Sequence, residues 1–557
     1  MSIYRAHVLV STDAESRLRG AEQVIQRLRD ELAKRDLANE IMVAETGNPG
    51  RGVRLPAVLV YPDGVTYQAI SPEDAAIIVE EHLYKGRVVK EFTSQLAPMT
   101  GNIVRLPKAH KHFQEQQKIV LKNCGDINPE VIEEYIAVDG YMALGKALTE
   151  MTPAQTLEEI KASGLRGRGG AGFPTGRKLE FSLGVKAAQK YIVCNADESE
   201  PGTFKDRLII EGDPHKLIEG MIIAGYCIGA TQGYVYIRGE YVLAHARLLK
   251  AIEQAREMGL LGKNIFNSGF DFDIFVHSGA GAYVCGEETA LLNSLEGQRG
   301  EPRKRPPFPP VAGFHQMPTI VNNVETLANL PPILLNGAAW FTRFGTENST
   351  GTKVYTMLGN INNTGLIEAP MGITLREVIE FYGGGMKDGR AFKFAQTGGS
   401  SGSIIPQELQ DVPMDFASMA KYGVSMGSGA LLICDDRACV VDVIKVLLNF
   451  FKVESCGKCA PCRIGTQQLH DAFVRIAGGV GTMDDLERAA HVGEQMIKAS
   501  FCGLGQTAPA PILTGLKYFR SEIEAHIRDQ YCEANVCEFE LVKKKKTPPH
   551  NNNGSSD

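Results

Sequence analysis

Residues 1–90 switch between strand-like and helical patterning over short distances. His7 to Val10 is a short apolar run that predicts a strand. Residues 13 to 35 set Val24, Ile25, Leu28 and Leu32 at helical spacing in an otherwise charged segment, which predicts one amphipathic helix. Strand-like runs at Ile41 to Ala44 and Ala57 to Tyr61 lead into Pro62-Asp63-Gly64, a turn signal. Ser71 as cap and Pro72 at the first helical position open a last helix that Gly86 can end. Strand, helix, paired strands and helix is a thioredoxin-like order, and this stretch holds no cysteine.

Residues 91–150 read as a mixed connector, with a Lys/His/Gln-rich stretch at 108–118 and a helix from Pro129 to Tyr135. An α/β domain of Rossmann-like character is predicted over 151–348. Its first helix follows Thr152-Pro153, runs through Leu157 and Ile160 and stops at Gly164, and Lys190 to Cys194 is a buried strand. Gly220 to Ile237 is the longest uncharged run, but four glycines, Thr231 and Gln232 interrupt it. That is a buried helix followed by a strand, not a membrane span. Over 349–438 strands and turns alternate, with Gly384, Gly385, Gly398 and Gly399 in loops and one helix from Leu375 to Tyr382. Residues 439–537 are helical. The remainder, 538–557, carries Lys543 to Lys546 followed by Pro, His, Asn, Gly and Ser, a tail expected to be disordered.

Composition changes this picture only at the margins. The chain has 557 residues, 43% apolar and 22% charged, which is ordinary for a multidomain globular protein. A net charge of -6 and the lack of a basic stripe argue against a nucleic-acid partner. The start, Met-Ser-Ile-Tyr-Arg-Ala-His, has no apolar signal core, so cytoplasmic residence is expected. Four of the twelve cysteines fall into one constellation, which favours ligation over disulfides.

That constellation is Cys456, Cys459 and Cys462, a C-x2-C-x2-C run, joined by Cys502 in Ser-Phe-Cys-Gly-Leu-Gly. Three thiolates at steps of three can turn towards one compact object, and a [4Fe-4S] cubane takes four. A four-cysteine zinc site is the rival, although such sites usually pair two C-x2-C knuckles. A second group, His526, Cys532 and Cys537, offers three zinc ligands and lacks a fourth in the local sequence; the competing reading is helix-end residues and free thiols.

Three loops suggest nucleotide chemistry. The stretch Gly164 to Lys178 carries Gly167, Gly169 and Gly172 in G-x-G-x-x-G spacing, but it leaves a helix, where a dinucleotide fingerprint must leave a strand. Its glycines can bring backbone N–H groups to an anionic ligand, with Arg168 and Lys178 supplying charge. The strand at Lys190 delivers Asn195, Asp197, Glu198 and Glu200 at its carboxyl end, where α/β sheets bind ligands. Asn195 and Asp197 can read a heteroaromatic edge or ribitol hydroxyls. Gly281 and Gly286 imitate the G-x4-G of a P-loop, but Glu287 and Glu288 replace its Lys and Ser/Thr and would repel a triphosphate. Those carboxylates can accept hydrogen bonds from hydroxyls instead.

Together these loops resemble the flavin- and NADH-binding subunit of complex I and its relatives in NAD-linked formate dehydrogenases and multimeric, bifurcating hydrogenases, from about Asn123 to His526. The resemblance implies FMN contacts at Gly167, Arg168, Gly169, Gly170 and Lys178, and at Asn195, Asp197 and Glu198. Tyr283, Gly286 and Glu287 follow, then Val321, Asn322 and Asn323. It implies NADH stacked over the flavin, its adenine held by Phe173, Phe181 and Phe308, with Glu200 near the nicotinamide and Glu288 near the adenosine ribose. Arg305 stands where relatives commonly have lysine, which keeps the charge and changes its geometry. Residues 349–438 become a ubiquitin-like β-grasp domain spacing the flavin domain from the cluster, and Cys456, Cys459, Cys462 and Cys502 become the [4Fe-4S] ligands.

Residues 1–90 are similar to the thioredoxin-like [2Fe-2S] domain at the amino end of some hydrogenase and formate dehydrogenase flavoprotein subunits. The places of the cluster cysteines fall on Ser11 to Ser16 and on Thr46, Gly47, Asn48 and Gly52, so no [2Fe-2S] cluster is expected. The domain reads as a docking module or as a structural cover. The implied function is hydride exchange between NADH and FMN, with single electrons relayed through [4Fe-4S] to or from partner subunits. The implied partners are a thioredoxin-like [2Fe-2S] subunit and a catalytic iron–sulfur subunit of formate dehydrogenase or hydrogenase type, with no direct membrane insertion. The alternative is a non-catalytic NADH-sensing scaffold with a structural zinc site. NAD(H) is expected to be preferred to NADP(H), because a 2′-phosphate would meet Glu288.

Overall fold

The computed structural model describes residues 4–49, 53–93 and 118–539. Gly52, residues 108–117 and the tail from 540 lie outside them. At the amino end, β1 (Ala6–Ser11), β2 (Ile41–Thr46), β3 (Val58–Tyr61) and β4 (Val65–Tyr67) form a sheet in the order β2-β1-β3-β4. The β1–β2 pair is parallel and the others antiparallel. The expected single helix is two, α1 (Ala14–Leu18) and α2 (Ala21–Ala33). Asp13 caps the first, and Gly20, at φ 91°, breaks the chain before the second. Val24, Ile25, Leu28 and Leu32 are buried as their spacing requires. Ser71 and Asp74 form a capping box that opens α3 (Pro72–Ile77), which continues with π-helical spacing through Ile78–Tyr84. The fold is thioredoxin-like.

The loops after β1 and β2 face the next domain. Thr12 Oγ1 accepts from the buried Arg247 at 2.8 Å, Glu211 accepts the Ala14 N–H at 3.0 Å, and Thr46 Oγ1 donates to the Ile127 carbonyl at 2.8 Å. A Cβ on Gly47 would stand 2.6 Å from Gly212 Cα, so the two backbones touch.

The central domain opens with α4 (Ile132–Ala137), α5 (Met142–Glu150), α6 (Pro153–Ala162) and α7 (Thr175–Leu183). There follow β5 (Tyr191–Ala196), α8 (Lys205–Gly212), α9 (Pro214–Ile228), β6 (Gln232–Arg238) and α10 (Val242–Glu257). Then come β7 (Gly262–Ile265), β8 (Phe270–Gly279), α11 (Glu288–Leu295), β9 (Thr319–Asn323), α12 (Val324–Ala328), α13 (Leu330–Asn336) and α14 (Ala338–Phe341). The sheet runs β7-β8-β6-β5-β9, parallel except for β7 against β8. Helix α9 carries the first half of the uncharged run and β6 most of the rest, and α9 is buried on nearly every face. Glycine makes that possible: a Cβ on Gly220 would stand 2.1 Å from the Leu327 carbonyl oxygen.

A small hairpin, β10 (Gly345–Thr346) and β11 (Ser349–Thr350), leads into the third domain. Its strands are β12 (Thr352–Gly359), β13 (Gly365–Pro370), β14 (Phe392–Thr397), β15 (Ile404–Pro406) and β16 (Ala430–Asp435), with α15 (Leu375–Glu377) and α16 (Phe416–Ala420) between them. The order is β13-β12-β16-β14-β15, and only β12 and β16 run parallel. The predicted helix at Leu375 begins with a capping box on Thr374 and continues as a π-helical turn, Val378–Tyr382. The helical domain comprises α17 (Val440–Glu454), α18 (Ala460–Ala477), α19 (Met483–Ala499), α20 (Gly503–Thr507) and α21 (Ala510–Arg528). Among the described residues no helix is long and apolar enough to cross a membrane.

Candidate functional site: a nucleotide crevice beside a four-thiol cavity

Strand order decides where a ligand fits. From β5 the sheet grows through β6 to β8 on one side, whereas β9 pairs with the other side of β5. The connections therefore diverge at the carboxyl ends of β5 and β9, and the crevice so opened is where open α/β sheets take ligands. Asn195 stands opposite Asn323 there, and Cys194 opposite Asn322. Asn195 Nδ2 donates to the Gly286 carbonyl at 2.8 Å, which fixes the short helical turn Tyr283–Gly286 against the strand end. Ser199 Oγ donates to Asp197 Oδ1 at 2.6 Å.

Two buried polar atoms of this crevice have no protein partner, the acceptor Asp197 Oδ2 and the donor Asn322 Nδ2. Burial pushes the Asp197 carboxyl up to about 7. Unsatisfied buried groups cost stability until something pairs with them. A ring edge with both donor and acceptor functions, such as that of a flavin, fits them.

The glycine-rich loop lies between α6 and α7, confirming that it leaves a helix. Gly167 N–H donates to the Phe173 carbonyl at 2.8 Å and Thr175 N–H to the Leu165 carbonyl at 2.9 Å, so the loop closes on itself. Gly170, at φ +123°, runs along the Gly427–Ser428 backbone, and a Cβ on Gly169 would stand 3.1 Å from Asn323 Cβ. The expected charge of Arg168 is not presented to a ligand. Its fully buried guanidinium donates to the carbonyls of Arg166, Thr350 and Thr352 at 2.9, 2.7 and 2.9 Å. It ties the loop to the start of the third domain.

Further side chains of the predicted site are occupied within the protein. Glu198 accepts the Asp206 and Arg207 N–H groups at the start of α8, each at 3.0 Å. Glu287 caps α11, and Asn323 caps α12 while donating to Asp206 at 2.6 Å. Lys178 forms an ion pair with Glu288 and donates to the Val321 carbonyl at 2.6 Å. The charge of Glu288 is thus partly balanced, which its sequence context did not reveal. Arg305 approaches Glu287 at 3.6 Å and lies over the Phe308 ring at 5.8 Å. Phe173 and Phe181 have ring centres 6.2 Å apart, and with Phe308 they are about half exposed, a cost that a stacked base would relieve.

Cys456, Cys459, Cys462 and Cys502 line one cavity whose walls include Val284, Phe501 and Leu504. Cys459 occupies the N-cap of α18 and Cys462 its first turn, where the helix dipole favours negative charge. Burial pushes the Cys502 thiol up to about 11, so it ligates only where a metal's charge displaces its proton. The loop is held to the central domain by Arg299, which donates to the Cys456 carbonyl at 2.9 Å, and by Lys458, which donates to the Pro302 carbonyl at 2.7 Å. Four thiols from two chain segments around apolar walls fit a cubane. The crevice and this cavity share a wall: Tyr283 donates its N–H to Glu454 at 3.0 Å and packs on Phe450, and the next residue, Val284, lines the thiol cavity.

A second group lies at the other end of α17. The ligand atoms of Cys439, His526, Cys532 and Cys537 all lie within 4.8 Å of one another, and only Cys537 is more than slightly exposed. His526 Nδ1 donates to the Glu522 carbonyl at 2.8 Å, leaving Nε2 at 3.3 Å from Cys439 Sγ. Cys439 supplies the fourth candidate ligand atom that the local sequence lacked. It lies 87 residues before His526, with no spacing signal to mark it.

Fold and site define a class, the flavin-dependent nucleotide oxidoreductase with a built-in iron–sulfur relay. The family described as Nuo51 FMN-binding domain matches residues 160–332, the SLBB domain family matches 354–405, and the NADH-ubiquinone oxidoreductase-F iron-sulfur binding region matches 442–526. NADP-reducing hydrogenase subunit HndC of Solidesulfovibrio fructosivorans is 55% identical over 76% of this chain and 86% of its own length. An NADH-quinone oxidoreductase subunit of Rhizobium meliloti (strain 1021) is 47% identical over 75% of this chain and 99% of its own. Among solved structures, an NAD+-reducing [NiFe]-hydrogenase in the H2-reduced state aligns with a TM-score of 0.66 and 31% identity, covering 94% of this chain and 84% of that one. The chain belongs to the family of FMN- and NADH-binding subunits of complex I and NAD-linked hydrogenases. It is an NADH oxidoreductase subunit, with FMN and a [4Fe-4S] cluster, of a multisubunit complex of that type.

Proposed function

We propose that nucleotide oxidation and electron exit are joined across Tyr283 and Val284. The observation that carries this reading is their adjacency: one belongs to the crevice wall and the other to the thiol cavity. In this reading FMN contacts Gly167, Gly169 and Gly170, Asn195 and Asp197, Tyr283 and Gly286, and Val321 to Asn323. Arg168, Glu198 and Glu287 shape that site from behind, and Lys178 works in tandem with Glu288. NADH would be held with its adenine among Phe173, Phe181 and Phe308 and its nicotinamide near Glu200. Bound there, FMN would supply the capacity to take a hydride and give up electrons one at a time. The protein supplies orientation and exclusion of water, and no side chain is required as a general acid or base.

The partners in this reading are a thioredoxin-like [2Fe-2S] subunit and a catalytic iron–sulfur subunit of hydrogenase or formate dehydrogenase type, in the cytoplasm. A zinc ion on Cys439, His526, Cys532 and Cys537 completes the metal content. Three sulfurs and one nitrogen gathered to a point suit tetrahedral Zn2+, and the His526–Glu522 hydrogen bond is the outer-shell contact such a ligand needs.

The adenosine end is tested by nucleotide choice. Glu288 disfavours a 2′-phosphate, and its pairing with Lys178 tempers that repulsion. Native protein is expected to reduce ferricyanide faster with NADH than with NADPH. Glu288→Gln is expected to raise NADPH turnover by on the order of tenfold with flavin content unchanged. Equal rates with both nucleotides in the native protein, or no gain in the variant, would place the ribose elsewhere.

A further inference from the structure

Glu200 leaves the loop after β5, but what holds its carboxylate comes from the third domain. Oε1 accepts the Ser401 N–H at 2.7 Å, and Oε2 accepts the Ser428 hydroxyl at 3.1 Å. Tyr283 OH adds a long contact to Oε1 at 3.5 Å. Residues 401 and 428 lie 201 and 228 positions away in the chain. The expected role of residues 349–438 as a spacer is therefore incomplete, since two of their loops form a wall of the crevice.

Those two loops are locked together. A Cβ on Gly398 would stand 2.5 Å from Gly427 Cα, and one on Gly399, at φ +71°, would stand 2.3 Å from the Glu200 carboxyl carbon. No other residue lets the loop come so near the carboxylate without displacing it. Ser428 is anchored through its own carbonyl, which accepts from the buried Lys353 at 2.8 Å, and its hydroxyl lies 3.3 Å from Thr203 Oγ1. With Thr203 able to donate to Ser428, the serine proton is free for the carboxylate, the strongest acceptor in reach. Burial raises the Glu200 carboxyl, and the Ser401 and Ser428 bonds oppose that rise.

We propose that Ser428, with the Ser401 N–H, is a positioning device for Glu200, so that the third domain sets the orientation of the carboxylate on the nicotinamide side of the crevice. This rests on the reading that Glu200 lies beside the bound nucleotide. Ser428 does not touch the nucleotide; it acts through Glu200. Removing its hydroxyl leaves Oε2 of a part-buried carboxylate without a donor, and the group turns away or takes up a proton.

The test is a double-mutant cycle on the full-length protein, reading kcat/KM for NADH with ferricyanide, with flavin per chain as the control. Ser428→Ala is expected to lower kcat/KM about tenfold, as the loss of one charge-assisted hydrogen bond does, with flavin unchanged. Ser428→Thr is expected to restore it to within about twofold, because the hydroxyl is kept. Adding Ser428→Ala to Glu200→Gln is expected to cost nothing further, because the serine has lost the group it positions. If Glu200→Gln lowers kcat/KM and Ser428→Ala does not, or if the two losses multiply, the positioning role is overturned while Glu200 keeps its place. A Glu200→Gln variant indistinguishable from the native protein overturns both the positioning role and the placement of Glu200 beside the nucleotide.

Discussion

The helical domain holds two sets of four side chains able to ligate metal, built on opposite plans. Cys456, Cys459, Cys462 and Cys502 stand around a cavity with apolar walls. The Cys439 group is instead drawn to a point, its ligand atoms all within 4.8 Å of one another. A cluster brings its own bulk, so the protein need only surround it, whereas ligands to a single ion must nearly touch each other. Position follows the same division. The first set shares a wall with the nucleotide crevice through Val284 and suits electron transfer. The second joins Cys439, just before α17, with His526 of α21 and the two cysteines beyond it, and suits a tie between distant parts of the chain.

The largest expected effect separates the two centres outright. Cys459→Ser is expected to take iron from about four per chain to near zero and abolish reduction of the natural partner, while FMN and zinc stay bound. Metal and flavin analysis of one preparation checks this; loss of zinc together with iron would mean that the centres are not independent. Next in size is Cys439→Ser, expected to remove about one zinc per chain, leave iron in place and lower stability by on the order of several kcal/mol. Denaturant unfolding with and without a chelator measures it, and the chelator should bring the native protein down to the level of the variant. The smallest effect belongs to Glu522. Its carboxylate accepts the Val440 N–H at 3.1 Å and pairs with Lys393 at 3.0 Å, which fixes the backbone next to Cys439. Glu522→Gln is expected to weaken zinc binding by about tenfold without changing iron content, as competition with a calibrated chelator would show.

The same contrast explains what could be read from the sequence. Cys456, Cys459 and Cys462 announce themselves because their ligand geometry is local, a repeat of three at a helix start. Cys439 belongs to a centre closed by tertiary folding, and a lone cysteine carries no spacing to detect. The nucleotide loops were legible as loops for the same local reason, since glycines and strand ends have short-range signatures. The roles of single side chains within them were not. Arg168 spends its charge on carbonyls 182 and 184 residues away, and Glu287 and Asn323 turn back to cap the helices they precede. At the amino end the apolar period was correct for α2, but the predicted helix ran through the break that Gly20 makes, because the charged residues of α1, where only Ser16 is buried, carry no apolar period to mark a separate helix.

Anaerobic titration of the full-length protein with NADH, followed in the visible spectrum, tests the central claim that crevice and thiol cavity form one relay. The flavin bands and the broad iron–sulfur shoulder should bleach together, with about three electrons taken up per chain, two on the flavin and one on the cluster. Bleaching of the flavin alone, with the shoulder unchanged at excess NADH, or binding of NADH with no bleaching at all, would contradict it.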